Sequence, residues 1–151
     1  MCERDGGTGA ASGIGRALAQ GFSDEGMRVV AADIDEVGAK ATAESIGNNA
    51  IACAVDVSEE SSVAALADAS FDAFGQVDLL VNNAGVFQGG LFWERSVEDW
   101  EWTLGVNVWG IIHGTRSFVP RMIAQGTEGH VVNTAAGGAL AAGPARRREV
   151  W

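Results

Sequence analysis

Thr8-Gly9-Ala10-Ala11-Ser12-Gly13-Ile14-Gly15 is the stretch whose residue types point most directly to chemistry. Glycines let backbone N–H groups come close to a pyrophosphate, and a helix starting directly behind them adds a favourable dipole end. Gly9, Ser12, Gly13, Ile14 and Gly15 are the candidate contacts. Asp33 follows about 20 residues further on, where a carboxylate accepts hydrogen bonds from ribose hydroxyls. Its charge repels a 2′-phosphate, and Ile34 follows rather than Arg or Lys, so this spacing favours NAD over NADP. Taken alone, the glycine loop reads equally as a tight turn.

These residues need elements to hold them. Residues 28–33, 50–55, 77–82 and 130–133 are short apolar runs, the pattern of strands covered on both faces. Helix-period segments lie between them: Ile14–Glu25 ending before Gly26, Asp35–Ile46 ending at Gly47, and a segment capped by Ser58 that ends at Gly75. Ser96-Val97-Glu98-Asp99 has the pattern of a capping box. It opens a long helix to Gln125 with Leu104, Val108, Ile111, Thr115, Phe118 and Met122 along one stripe, kinked or split at Pro120. Strands alternating with helices predict an α/β fold with a doubly wound parallel sheet. The glycine loop of such a fold follows a strand. Glu3-Arg4-Asp5 puts three charges in that place, so the leading strand is expected to be missing.

Composition narrows the classes of function. The chain has 151 residues and a formal net charge of −10, with ten Lys and Arg against twenty Asp and Glu. That balance gives no electrostatic footprint for nucleic acid or an anionic membrane. There is no long apolar run to span a membrane and no signal-peptide pattern in residues 1–7. Cys2 and Cys53 make neither a disulfide framework nor a zinc site, and His113 and His130 are unaccompanied. A reduced cytoplasmic protein without a metal is the expectation.

Five segments in order carry a resemblance. The glycine loop resembles the cofactor loop of the short-chain dehydrogenase/reductase family. Asp56-Val57 resembles its adenine-contacting pair, and Asn82-Asn83-Ala84-Gly85 its Asn-Asn-Ala-Gly motif. Val106-Asn107-Val108-Trp109-Gly110 resembles the segment with the catalytic Asn, and His130-Val131-Val132-Asn133-Thr134-Ala135 the strand that ends at the catalytic Ser. The resemblance implies a Rossmann-like sheet with strand order 3-2-1-4-5-6-7 and hydride transfer between a nicotinamide cofactor and an alcohol or carbonyl compound. It implies that Asp56 accepts from the adenine amino group and that Asn83, Ala84 and Gly85 line the ribose side. Asn107, sharing a helix face with Ile111, Gly114 and Phe118, would point at the sheet and hold a water of a proton relay. Singly, Asp56 reads as a helix-start charge, Asn82-Asn83 as a turn and Asn107 as a kink residue.

The family chemistry also uses a Tyr whose pKa a nearby Lys lowers toward neutrality, and a Ser that orients the substrate oxygen. This chain has no Tyr, its single Lys is Lys40, and the Ser position falls on Ala136. Thr134, two residues earlier, is expected to reach too low in the cleft to substitute. Residues 1–7 and 145–151 depart from the family pattern and 8–144 match it, which points to a truncated or frame-shifted reading of a longer gene. Without its leading strand and C-terminal half, strands 2 and 4 would lose their shared partner, and Ile111 and Phe118 would be exposed. The chain is thus expected to be catalytically incompetent by itself. The alternatives are a non-catalytic nucleotide-binding module, or an interaction protein that self-associates through exposed sheet edges and a bare helix face. Trp93, Trp100 and Trp102 are expected beside the substrate entrance.

Overall fold

The computed structural model describes residues 4–89 and 91–135. The strands are β1 Arg4–Thr8, β2 Arg28–Asp33, β3 Ala50–Ala54, β4 Leu79–Asn82 and β5 His130–Asn133. The helices are α1 Gly13–Asp24, α2 Glu36–Ile46, α3 Glu60–Phe74, α4 Val97–Leu104 and α5 Gly110–Ala124, with a π turn over Gly105–Trp109 between the last two. The sheet runs β3-β2-β1-β4-β5 and every neighbouring pair is parallel.

The leading strand is therefore present, against expectation. β1 sits at the centre, with Arg4 opposite Arg28, Thr8 opposite Ala32 and Gly6 opposite Leu80. A parallel ladder is built from backbone groups, and β2 and β4 each offer one row of them. Pairing both rows outweighs the poor strand propensity of a segment with two charges and two glycines.

Alternation along β2 divides the core. Val30 and Ala32 pack with Leu80, Val63, Leu66, Phe118 and Met122, beneath α3 and α5. Ala31 packs with Ala10 and Ala43 on the opposite face, beneath α2. Phe118 is fully buried, with its ring 6.2 Å from Phe71 of α3, and Ile111 is half-buried, so the expected exposure of these two is not found. Packing of α5 on α3 encloses Phe118 without any further chain. All four residues of β5 are exposed, whereas β3 at the opposite edge is mostly half-buried.

The long helix departs from its expected stripe. The break comes at the π turn, where Gly110 N–H donates to Gly105 C=O, and α5 runs on through Pro120. One extra residue in a turn rotates all that precedes it relative to all that follows. Leu104 and Val108 are consequently 46% and 45% exposed, Thr115 is exposed, and the inward face of α5 is Gly110, His113, Gly114, Phe118 and Met122. Pro120 is tolerated because it and Arg116 both face solvent, so water can serve the carbonyl left without an N–H. Gly114 permits the close approach of α5 to β4: a Cβ there would lie 2.2 Å from Asn82 Oδ1.

Two caps were expected. Ser96 accepts from Asp99 N–H at 3.1 Å while Asp99 accepts from Ser96 N–H at 3.2 Å, a complete capping box. Ser58 does not cap α3, whose N-cap is Glu59. Its N–H and hydroxyl both donate to Asp56 Oδ1, at 3.0 and 2.6 Å, because Asp56 folds the chain back on itself in an Asx turn.

Cys53 on β3 is half-buried against the main core, and burial pushes its thiol above the ordinary range. A raised pKa means less thiolate at a given pH. Alkylation of the Cys53 peptide at pH 8 is expected to be at least roughly fivefold slower in the native chain than in urea, with mass spectrometry separating it from Cys2. The shift also stabilises the fold below the ordinary thiol range, and that contribution falls as pH rises through it toward the raised value. Equal native and unfolded alkylation rates would contradict this environment for Cys53.

Candidate functional site

A parallel sheet offers its crevice where the strand order reverses, at the carboxyl ends of the strands. Here the reversal lies between β1 and β4. A cleft of about 600 Å³ opens there, lined by Gly9, Ser12, Gly13, Ile14 and Gly15 from the loop after β1, and by Asp33 and Ile34 after β2. Val55, Asp56 and Val57 after β3, and Asn83, Ala84, Gly85 and Val86 after β4, form its other walls. Trp102, Val106 and Thr134 complete it. Every residue read from the sequence as a cofactor contact lies on this surface, although those residues span more than half the chain.

Thr8, the last residue of β1, ties two walls together. Its buried hydroxyl donates to Val81 C=O at 3.4 Å and accepts from Asn83 N–H at 3.1 Å and Ala84 N–H at 3.2 Å. Asn83 Nδ2 donates to Thr8 C=O at 3.2 Å, and Thr134 Oγ1 donates to Asn83 Oδ1 at 3.0 Å. Thr134 thus reaches the cleft and anchors its β4 wall, a role the sequence did not reveal. Asn82, the end of the strand read over residues 77–82, is the buried last residue of β4, and its Nδ2 donates to Asn133 Oδ1 at 2.9 Å.

Asn107 does not point at the sheet. It sits half-buried in the π turn and clamps the segment beyond β4: Val86 N–H donates to its Oδ1 and its Nδ2 donates to Val86 C=O, both at 2.8 Å. The widened turn swings this side chain away from the face of α5. Six residues on, His113 is buried with Nδ1 3.0 Å from Val57 C=O, tying α5 to the β3 wall.

Among the described tryptophans, only Trp102 lines the cleft. Trp100 packs on Phe92 with ring centroids 4.5 Å apart, and Trp93 is 63% exposed. Among the described residues, no group of three or more His, Cys, Asp or Glu could hold a metal ion. No described helix is long and apolar enough to cross a membrane.

The donor set suits a dinucleotide. A Cβ on Gly15 would fall 2.0 Å from Gly9 C=O, so the loop closes onto the start of α1 as tightly as glycine allows and leaves that helix end open to the cleft. Asp33 and Asp56 supply carboxylate acceptors on the β2 and β3 sides of the cleft. Ala84 and Gly85 give a small-residue wall against which a flat ligand can lie.

Residues 7–146 match the short chain dehydrogenase family. The chain belongs to that family. A short-chain dehydrogenase/reductase from Burkholderia phymatum, solved in complex with NAD, superposes with a TM-score of 0.92 at 45% identity, covering 95% of this chain and 52% of that one. A 3-ketoacyl-(acyl-carrier-protein) reductase from Brucella melitensis, complexed with NADH, gives 0.88 at 38% identity, covering 91% and 58%. The CLA biosynthesis dehydrogenase/reductase of Lactiplantibacillus plantarum is 37% identical over 131 residues, which are 85% of this chain and 46% of that protein. The chain therefore spans about half the length of these relatives. Membership assigns it to a family of oxidoreductases with a Rossmann-like parallel sheet. Ala136, at the family's Ser position, and the segment 145–151 lie outside the described residues.

Proposed function

We propose that this chain is the dinucleotide-binding half of a nicotinamide-dependent oxidoreductase, that it favours NAD over NADP, and that by itself it does not complete the proton relay. The observation that carries the reading is the convergence of the glycine loop, Asp33, Asp56 and Asn83–Gly85 on one cleft. A bound nicotinamide would supply the hydride chemistry. The chain's residues supply the rest: loop N–H groups for the pyrophosphate, Asp33 for the ribose hydroxyls, and Asp56 for the adenine amino group. Asp33 keeps both oxygens in place through backbone donors, Ala11 N–H to Oδ2 and Asp35 N–H to Oδ1, each at 2.9 Å. A carboxylate oxygen accepts more than one hydrogen bond, so each retains capacity for a ribose hydroxyl. Among the described residues, no Lys or Arg lines the cleft to receive a 2′-phosphate.

Incompetence in proton transfer follows from the residue types at hand. The sequence contains no Tyr. Its one Lys, Lys40, pairs with Glu36 on the exposed side of α2. Asn107 could still position a water, as its family counterpart does, but its side-chain amide is already held by Val86.

Titration of NADH against tryptophan fluorescence tests the binding, since Trp102 lines the cleft. A saturable response is expected below about 1 mM, with NADPH at least roughly tenfold weaker. Asp33→Ala is expected to narrow that gap to within about threefold, because it removes both the hydroxyl acceptor and the repulsive charge. No response up to millimolar NADH would remove the binding reading. Steady alcohol-dependent NAD reduction by this chain alone would remove the incompetence.

A further inference from the structure

We propose that Arg16 and Thr42 are positioning residues for the pyrophosphate of a dinucleotide, acting through the two peptide planes between Ala10 and Ser12; the proposal rests on the cofactor reading above. Neither residue lines the cleft, and neither belongs to the glycine pattern.

The geometry is a bridge from α2 to the loop. Thr42 is 1% exposed in an Ala-rich helix, and its Oγ1 donates to Ala10 C=O at 2.8 Å, with Gly38 C=O as a second acceptor at 3.1 Å. Arg16 Nε donates to that same Oγ1 at 3.0 Å, and its Nη2 donates to Ala11 C=O. Ala11 N–H donates to Asp33 Oδ2 at 2.9 Å. A Cβ on Gly38 would lie 2.6 Å from Ala11 Cβ, so α2 is pressed directly against the loop at this point.

A planar trans peptide directs its C=O and its N–H to opposite sides. In the first plane, Ala10 C=O is held toward Thr42 while Ala11 N–H is held toward Asp33. In the second, the Arg16 guanidinium holds Ala11 C=O, which turns the Ser12 N–H away from the guanidinium. Ser12 is the N-cap residue of α1 and lines the cleft, so this donor joins the open helix end that a pyrophosphate would meet. Arg16 suits the task because one planar fork reaches the carbonyl and the hydroxyl together. A lysine ammonium at the same place is a single point of charge on a flexible stem.

The adenosine portion of the ligand meets Asp33 and Asp56 instead, which gives a readout that a merely structural role would not produce. NADH binding by calorimetry and adenosine binding by ligand-observed NMR are compared for the wild type, Arg16→Ala, Arg16→Lys, Thr42→Val and Thr42→Ser. Arg16→Ala and Thr42→Val are expected to weaken NADH roughly tenfold while adenosine stays within about twofold, and amide exchange over residues 10–12 should quicken without ligand. Thr42→Ser keeps the hydroxyl and is expected to bind as wild type; Arg16→Lys is expected to resemble Arg16→Ala. Equal loss of both ligands marks a general loss of structure and overturns the proposal. Arg16→Ala binding NADH as tightly as wild type overturns the proposal alone. A wild-type chain that does not bind NADH overturns the cofactor reading and this proposal with it.

Discussion

Gly15→Ala is expected to cost about 3 kcal/mol of stability and to abolish NADH binding in whatever fraction stays folded. The added methyl would meet Gly9 oxygen at 2.0 Å, Gly9 carbonyl carbon at 2.6 Å and Asn83 Nδ2 at 2.8 Å. The first two are backbone atoms and cannot swing aside as a flexible side chain would. Position 15 is inside α1, where alanine has the better helix propensity by about 1 kcal/mol. That gain is smaller than the overlap, so the clash decides the sign. Movement that relieves it must push Gly9 away from the helix start, which opens the loop that would hold the pyrophosphate. Gly13 is the internal comparison. It has φ +54° and nothing within 4 Å of a built Cβ, so Gly13→Ala is expected to cost only about 1 kcal/mol, from backbone strain alone. Urea denaturation of both variants checks the ranking, provided the denaturant slope is unchanged. If Gly13→Ala is the more damaging substitution, the loop is not packed against α1 as described.

Asn107→Ala carries the second large effect, about 2 kcal/mol of stability with roughly tenfold weaker NADH binding. Both ends of the side-chain amide are engaged with Val86, so its removal strips partners from a backbone N–H and a backbone C=O at once. Val86 is only half-buried, so water can serve part of the loss and keeps the cost below that of two sealed orphan groups. The cofactor effect follows because Asn83, Ala84, Gly85 and Val86 form one wall of the cleft and the clamp fixes its far end. Asn107→Asp separates the two bonds. It keeps the acceptor for Val86 N–H, loses the donor to Val86 C=O, and is expected to fall between wild type and Asn107→Ala. Both variants lying within about 0.5 kcal/mol of wild type would show that the clamp does not hold the wall.

Local patterns carried much of the fold. Residues 28–33 and 130–133 are strands with those bounds, because short apolar runs flanked by turn residues have few other stable uses. The capping box at Ser96 and Asp99 needs only a spacing of three, and the structure shows both of its bonds. The glycine loop and Asp33 are equally local signals, and they meet in the cleft.

Other features depended on distant parts of the chain. Arg4–Thr8 reads as a poor strand, yet β2 and β4 draw it into the sheet centre through backbone bonds that are blind to side-chain type. The outward turn of Leu104 and Val108 comes from one additional residue in the π turn, which a uniform 3.6-residue period does not register. Asn107 finds Val86 and Arg16 finds Thr42 only after the strands have stacked the loops side by side. Sequence by itself determined most strands and helices and the glycine loop between them, because propensity and periodicity act over a few neighbours. Tertiary structure alone decided which groups hold the cleft residues in place, because such partners come together only when segments 21 to 75 residues apart are packed.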